Sequence, residues 1–281
     1  MDIKASDVKA LREATGAGMM ECKKALVECN GDAAAATKLL KEKGLAAVEK
    51  RAGRATSEGR VIIKVEGNKA VIVELTCETD FVAKNTDFIA VGDKIAAEVL
   101  AKGYTEVNEN LSNMLLDLAT KIRENMSVRR LEVIDIPADC VMAKYIHSDN
   151  KTGVIVLFKA DPAANDNETL KTFAYDCCLH IAAFTPAYIN KADVPQSYID
   201  EQSEIFKAQM DQDEKMASKP DNVKAGILQG KINKHLAEIC FMDQMFVKDD
   251  KFTVAKKIDA VGKEIGSKLT LAKVVTYVLG Q

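Results

Sequence analysis

The spacing of apolar positions predicts helices at the start of the chain and alternating strands after them. Between residues 5 and 43, apolar side chains recur at helical intervals, and glycine-containing breaks at 16–18 and 30–31 divide them into three groups. Each group is long enough for a short helix. The pattern therefore predicts a small three-helix module at 1–45.

Polar residues at the ends of these predicted helices supply candidate caps. Ser6 or Asp7 can cap the first helix and Asp32 the third, because their side-chain oxygens accept from free backbone N–H groups. Gly44 is the expected end of the third helix. The stretch 46–60 is basic and rich in small residues, which is typical of a linker.

After residue 60 the apolar period becomes two, which indicates strands. Alternating apolar positions at 61–65 and 71–77 flank Glu66-Gly67-Asn68, a pattern typical of a hairpin with one buried face. We expect this hairpin to begin a core subdomain at 61–138. The further elements predicted in it are helices at 87–102 and 111–125 and a strand at 128–136.

A similar order returns after Pro137-Ala138-Asp139, in a second core subdomain at 139–281. Within it we expect an antiparallel helical hairpin at 195–240, because two apolar stripes flank the break at 218–222. The remaining predicted elements are a hairpin from 141–147 and 153–160, helices at 168–183 and 253–265, and a strand at 269–279. The chain thus has an α+β pattern: an N-terminal three-helix module, a core of two hairpin-plus-helix subdomains, and an inserted helical hairpin.

Composition and charge narrow the classes of protein. The chain has 281 residues, of which 47% are hydrophobic, enough for a sizeable core. A net charge of −3 provides no general field for capturing nucleic acid. The first residues lack the pattern of a signal peptide and no apolar run could span a bilayer, so we expect a cytoplasmic protein without membrane contact. The seven cysteines never form CxxC, and we expect free thiols.

Motifs for catalysis are missing from the sequence. It has no phosphate-binding GxxxxGK[ST], no GxGxxG after a strand and no GxSxG, and its histidines have no partner at metal-ligand spacing. We therefore expect no enzymatic chemistry, no metal and no cofactor. His180 fits a core helix position, whereas His147 ends a strand beside a polar loop and is either a surface residue or a binding residue.

The tripeptide Thr-Asp-Phe occurs twice, at 79–81 and 86–88. Thr and Asp before each Phe can cap a helix, so the repeat indicates two consecutive helix starts. Phe88 begins a helical stripe of apolar residues and is expected in the core. Phe81 lacks such neighbours, so the pattern leaves two alternatives: a local packing residue in a capped turn, which it favours, or an exposed binding anchor.

Two longer stretches resemble a known family. Residues 11–26 (LREATGAGMMECKKAL) and 77–85 (CETDFVAKN) are similar to the two signature motifs of the bacterial elongation factor Ts family. The likeness extends through His147 and the stretches 179–183 and 246–250, and covers nearly the whole chain. Departures from the family pattern are Met245, where the family has Pro, and a different tail at 269–281. The resemblance implies a guanine-nucleotide exchange factor for the translational GTPase elongation factor Tu, active in protein biosynthesis.

The resemblance also implies roles for residues. The N-terminal module resembles the family's ubiquitin-associated-type domain, which docks on the GTPase. Asp80 and Phe81 resemble the family's wedge, in which the Phe inserts beside the nucleotide and disturbs the magnesium site, and His147 matches a residue that approaches the phosphate side. The implied GTPase contacts are Arg12, Thr15, Gly16, Met19, Met20, Lys23, Thr79, Asp80, Phe81, Val82 and His147.

RNA and a second copy of this chain are two other candidate partners. The alternative function is an RNA-binding translation-associated protein, which would use the four cations Lys50, Arg51, Arg54 and Arg60. These cations lack interleaved aromatic residues, so we expect no direct nucleic-acid contact. The hairpin at 195–240 resembles the family's dimerisation element, which makes a second copy of this chain a candidate partner.

Overall fold

The computed structural model describes residues 3–281, except for the side chains at positions 214 and 217. Groups of helices and groups of strands follow one another along the chain, with antiparallel pairing in the first sheet, so the predicted α+β class is confirmed. The helices are α1 (Ala5–Thr15), α2 (Met19–Glu28), α3 (Ala33–Arg51), α4 (Asp80–Ala83), α5 (Thr86–Lys102), α6 (Glu109–Ile122), α7 (Glu168–Phe184), α8 (Gln196–Gln212), α9 (Glu214–Ala217), α10 (Asp221–Ile239) and α11 (Val254–Glu264). The strands are β1 (Glu58–Glu66), β2 (Lys69–Cys77), β3 (Met126–Asp135), β4 (Cys140–Ile146), β5 (Thr152–Lys159), β6 (Met245–Phe246), β7 (Asp249–Thr253) and β8 (Thr270–Val278).

The described chain forms two compact units. The first runs from the first described residue to Ile136 and also includes Ile146–Gly153 and Tyr277–Gln281. The second comprises Pro137–Tyr145 and Val154–Thr276. Two segments expected in the second subdomain, the loop after β4 and the end of the chain, therefore lie in the first unit. This placement puts His147 in the same unit as Phe81.

Helices α1 to α3 form the expected N-terminal module around a small core that includes Leu11, Cys22 and Leu26. Asp32 caps α3 as predicted, since its carboxylate accepts from the N–H groups of the second and third helical residues. The predicted cap of α1 by Ser6 or Asp7 is wrong. That helix already begins at Ala5, so both side chains lie within its first turn.

Helix α3 continues past the glycine that was expected to end it. Gly44 lies inside the helix, and a Cβ at this position would come within 2.4 Å of Thr120 Cγ2 on α6. The glycine therefore permits a close approach of two helices rather than a helix end. The predicted linker at 46–60 is accordingly too long, because only residues 52–57 separate α3 from β1.

The sheet of the first unit is antiparallel, with β2 between β1 and β3. Val71, Val73 and Leu75 face the core formed with α5 and α6. The prediction of only one buried face is wrong, since every residue of β2 from Ala70 to Cys77 is buried. Gly153 covers part of the second face: a Cβ there would lie 2.5 Å from Val61 Cγ1.

Glu74 is a charged residue on this second face, with 0% of its side chain exposed. Its carboxylate pairs with Arg129 (2.9 Å) and Arg130 (2.6 Å) of β3 and accepts from the N–H of Gly280 (2.9 Å). The guanidinium of Arg130 also lies 4.1 Å from the ring centre of Tyr277. Paired in this way, the buried charge anchors the end of the chain to the sheet.

The second unit contains a three-stranded sheet in the order β4–β5–β8. Val154, Val156 and Phe158 of β5 pack in a core with residues of α7 and α11. The predicted strands and helices of this region are all present, with ends shifted by a few residues. His180 on α7 is fully buried, which confirms its predicted place in a core helix.

Helices α8 and α10 are the two arms of the predicted helical hairpin. Their contact is lined by Phe206 and Leu228 and is closed at its base by Ile232, Leu236 and Cys240. The hairpin thus buries an apolar stripe of its own. All seven cysteines of the chain are free thiols, as expected.

Candidate functional site

A short capped turn follows the central strand of the first unit. Strand β2 ends at Cys77, and Thr79 caps α4 by accepting from Val82 N–H at 3.4 Å. Within this single turn Val82 and Ala83 are buried in the core, whereas Phe81 is 82% exposed. The alternative in which Phe81 is a local packing residue is therefore wrong, and its ring projects from the surface.

The two Thr-Asp-Phe copies have different structural roles. In the second copy Phe88 is fully buried in the core, as predicted. The expected cap by Thr86 is wrong: Asn85 caps α5 by accepting from Asp87 N–H at 2.8 Å, and Thr86 is the first helical residue. Helix α5 thus begins one residue earlier relative to its tripeptide than α4 does.

Asp80 is paired with a neighbour on the same turn. Lys84 Nζ donates to Asp80 Oδ2 at 2.7 Å, and this hydrogen bond lowers the pKa of the Asp80 carboxyl. The carboxylate is therefore charged at neutral pH. The Asp80 side chain is 48% exposed beside Phe81, so the turn presents a ring and an anion side by side.

Glu124, in the loop after α6, holds the turn from below. Its Oε2 accepts from the backbone N–H groups of Glu78 (3.1 Å) and Thr79 (3.0 Å), and its Oε1 accepts from the Thr79 hydroxyl (2.6 Å). Sequence reasoning missed this residue. Glu124 lies 45 positions from Thr79, and no local pattern indicates a contact over that separation.

Cys77 closes the inner side of the same turn. Its thiol donates to the carbonyl oxygen of Thr79 at 3.2 Å, and burial raises the pKa of Cys77 to about 12. The thiol therefore stays protonated at neutral pH. It acts as a buried donor that fixes the path of the backbone between β2 and α4.

Arg60 connects the turn to the loop that carries His147. His147 is exposed just after β4, and its carbonyl oxygen accepts from Asn150 N–H at 2.8 Å. The Arg60 guanidinium donates to Ala83 O at 3.2 Å and to Asn150 Oδ1 at 2.8 Å. One cation thus ties together the two places at which the core of this chain is expected to contact a partner.

The N-terminal module presents a second exposed surface. Met19 and Met20, at the start of α2, are 47% and 65% exposed, and Lys23 is exposed one turn later. Thr15 and Gly16 instead form the end of α1. The Thr15 hydroxyl donates to Leu11 O at 2.6 Å, and Gly16 adopts a left-handed φ of 70°.

The expected contact residues are thus sorted by exposure. Arg12, Met19, Met20, Lys23, Phe81 and His147 are exposed, and Asp80 and Thr79 are partly so. Val82 is buried in the core and has no surface to offer. All of these residues lie in the first unit, although His147 comes from a segment distant in sequence.

A metal site is absent from the described residues 3–281. None of the His, Cys, Asp and Glu side chains described there form a group of three that could hold a metal ion. Within the same described range, helices long and apolar enough to cross a membrane are absent.

Comparison with known proteins places this geometry in context. The model of the family described as elongation factor TS matches residues 78–281. Elongation factor Ts of Treponema denticola is 59% identical over 281 residues, covering 100% of this chain and 99% of that protein. The protein of the same name from Treponema pallidum is 51% identical over 292 residues, with coverage of 100% and 99%. That of Clostridium acetobutylicum is 38% identical over 292 residues, with coverage of 99% and 93%.

Proposed function

The chain belongs to the elongation factor Ts family, and from this premise we propose that it binds elongation factor Tu and promotes the release of GDP. In this proposal the protein is an exchange factor in translation elongation that works in the cytoplasm without a cofactor. It carries out no covalent chemistry of its own. Its activity consists of binding one state of the GTPase better than another.

The observation that carries the proposal is the exposure of Phe81. The Phe81 ring is 82% exposed, on a turn that is held by a cap and by Glu124. Most of its apolar surface is therefore in contact with water in the free protein. Such a ring is a typical binding hot spot. Phe81 is the wedge in this proposal, and Asp80 contacts the GTPase beside it.

Energetics require the other surfaces to contribute. Accelerating release ten-thousandfold needs about 5.5 kcal/mol of differential stabilisation. Burying one phenylalanine side chain contributes roughly 1.5–3 kcal/mol. Phe81 therefore cannot act alone. Met19 and Met20 on the N-terminal module and His147 on the second loop supply further docking free energy, which the wedge converts into distortion of the nucleotide site.

The first experiment measures the release of a fluorescent GDP from the same organism's elongation factor Tu, with and without this protein. We expect acceleration at substoichiometric concentrations, because an exchange factor is released and acts again. Tight binding without acceleration would contradict the proposal.

The second experiment replaces the wedge. Phe81→Ala is expected to retain much of the affinity for the GTPase while losing most of the stimulation of GDP release. Several surfaces contribute to docking, whereas Phe81 alone is proposed to distort the nucleotide site. Phe184→Ala is the matched control, because Phe184 is also an exposed ring (52%) and lies outside the proposed contacts. Full stimulation by Phe81→Ala would reject the wedge, and an equal loss in both variants would show that the effect is unspecific.

The RNA-binding alternative receives less support from the side chains it needs. Arg51 donates to Ala119 O, Arg54 pairs with Glu78, and Arg60 holds Ala83 and Asn150. These three cations are engaged within the chain. If RNA binding were the function, affinity would fall steeply as salt rises, and a titration from about 50 to 200 mM salt is the test.

Self-association through the helical hairpin is a separate proposal. Ile205 on α8 and Val223 on α10 are each 41% exposed, so the hairpin retains apolar surface outside its own contact. Sedimentation equilibrium of the full chain and of Ile205→Asp tests this. A dimer that the substitution dissociates supports the proposal, whereas a monomeric wild-type protein contradicts it.

A further inference from the structure

Glu124 makes three hydrogen bonds, all to Glu78 and Thr79 at the start of the turn that carries Phe81. Two backbone N–H groups and one hydroxyl, at 3.1, 3.0 and 2.6 Å, donate to its carboxylate. Hydrogen bonds to a charged acceptor are shorter and stronger than neutral ones. The Thr79 hydroxyl accepts from Val82 N–H in turn, so the carboxylate is linked through Thr79 to Val82, the third residue of α4.

A second carboxylate completes the arrangement in the opposite direction. Glu78 Oε1 accepts from Asn125 N–H at 2.6 Å and from Arg54 at 3.3 Å. The side-chain amide of Asn125 donates to Ala52 O at 3.1 Å and to Arg54 O at 2.8 Å. Hydrogen bonds therefore run in both directions: Glu124 of the loop after α6 binds Glu78 and Thr79, and Glu78 in turn binds Asn125 of that loop. We call Arg54, Glu78, Thr79, Glu124 and Asn125 the bracket.

The bracket is continuous with the N-terminal module. Arg123, next to Glu124, forms an ion pair with Glu21 on α2, and Arg51 at the end of α3 donates to Ala119 O on α6. Ala52 and Arg54, which the bracket contacts, directly follow α3. All of these residues belong to the first unit. Hydrogen bonds, joined by short steps along the backbone, thus connect the proposed docking helices to the turn that carries Phe81.

We propose that Glu124 is a positioning residue for nucleotide exchange. This inference rests on the proposed function and deepens it. Docking free energy distorts the nucleotide site only if Phe81 is held firmly against the GTPase, since a displacement of about 1 Å in a positioned group can reduce a rate about a hundredfold. Glu124 fixes the position of the turn, and so of Phe81, without contacting the partner's nucleotide.

The test separates affinity from rate. Glu124→Gln retains the size of the side chain but turns an amide N–H₂ or a single oxygen toward three donors, so it removes most of the bracket's charge-assisted bonds. The release of fluorescent GDP is followed while the concentration of the full-length factor is varied. We expect the maximal release rate to fall about tenfold to a hundredfold, with the half-saturating concentration changed by less than about threefold.

Controls distinguish positioning from folding. Glu109→Gln makes the same change at an exposed position in the first turn of α6 and is expected to behave as the wild type. Amide hydrogen exchange of the free protein adds a readout independent of the partner. Glu124→Gln should speed exchange at residues 79–84 and leave the buried part of α6 unchanged. Should Glu124→Gln fail to fold, Glu124→Asp, which retains the charge, is the variant to measure.

Each outcome has a defined meaning. A wild-type maximal rate in Glu124→Gln would overturn the positioning role and leave the proposed function intact. Parallel losses of affinity and rate, with faster exchange throughout the first unit, would assign Glu124 a purely structural role. No acceleration by the wild-type protein would overturn both proposals.

Discussion

His180 is a buried histidine of the second unit with a hydrogen bond at each ring nitrogen. Its Nδ1 accepts from Val247 N–H at 3.1 Å, and its Nε2 donates to Gln244 Oε1 at 2.8 Å. Burial lowers the pKa of this imidazole. A proton added to Nδ1 would face another donor and break the contact with Val247.

The lowered pKa makes stability depend on pH. Because the unfolded chain protonates this histidine first, near pH 6.5, its contribution is complete above pH 6.5 and is lost as pH falls toward the folded pKa. The slope in that window is at most about 1.4 kcal/mol per pH unit. Urea unfolding of the wild type and of His180→Gln at pH 7.5, 6.0 and 5.0 should give a stability difference that shrinks with falling pH. A difference independent of pH would contradict this account.

The start of α5, at the second Thr-Asp-Phe copy, permits a paired test at single residues. Asn85→Ala removes the side-chain acceptor at the start of α5 and should destabilise the protein by about 1 kcal/mol. Thr86→Ala, one position later and exposed, should change stability by less than about 0.5 kcal/mol. Urea unfolding curves measure both values. A larger cost at Thr86 than at Asn85 would show that the cap is misassigned.

At the scale of single residues, the sequence predicted what depends on local chemistry. Asp32 caps its helix and Phe88 enters the core because both roles follow from neighbours within a few positions. The exposure of Phe81 was left open by the pattern and was indicated only by family resemblance. Glu124 was missed, since a hydrogen bond across 45 positions leaves no periodic trace.

At the scale of elements, Gly44 shows how packing can override a local signal. In an exposed helix, replacing Gly by Ala stabilises by about 1 kcal/mol. At Gly44 the new methyl group would lie 2.4 Å from Thr120 Cγ2, and Thr is stiff about χ1, so α3 and α6 must separate. We expect Gly44→Ala to destabilise the protein by about 1–2 kcal/mol.

Gly226 provides the matched control for this prediction. It lies in α10, and a Cβ there would meet nothing within 4 Å. Gly226→Ala should therefore stabilise the protein by about 0.5–1 kcal/mol. Unfolding in urea is the measurement for both variants. Stabilisation by both substitutions would mean that Thr120 moves aside easily and that the helix contact is looser than the distances indicate.

The burial of both faces of the first sheet could be predicted only in part from the sequence. Alternation predicted the strands and the inward positions of β2 correctly, but in β1 it is Ile62, not Val61 and Ile63, that faces α5 and α6. It could not show that segments far along the chain, including Gly153 and Gly280, cover the second face. Glu74, a charge within the apolar stretch VIVELTC, was the one local sign that a buried ion pair lies there.

At the scale of the whole molecule, the proposed contacts gather on one unit. The N-terminal module, the turn with Phe81 and the loop with His147 come from three stretches of sequence, yet all lie in the first unit. Arg60 joins the second and third of these stretches, and the bracket joins the first and second. These connections form one continuous network in the first unit, through which binding at one proposed contact surface can act at another.

Thermodynamic linkage supplies the last prediction. If this protein weakens GDP binding to elongation factor Tu by some factor, GDP must weaken binding of this protein by the same factor. Four dissociation constants test this: those of the factor for the GDP-bound and nucleotide-free GTPase, and those of GDP for the GTPase with and without the factor. A ten-thousandfold ratio on each side would correspond to about 5.5 kcal/mol of coupling.

The Phe81→Ala variant shows which residue carries this coupling. If the ring converts docking into distortion, both ratios should shrink together, while affinity for the GDP-bound GTPase stays close to that of the wild type or increases. That affinity would increase because inserting the wild-type ring costs free energy while GDP is bound, and an alanine side chain does not incur this cost. Unchanged ratios in Phe81→Ala would place the coupling elsewhere on the first unit, with the loop of His147 as the next segment to substitute.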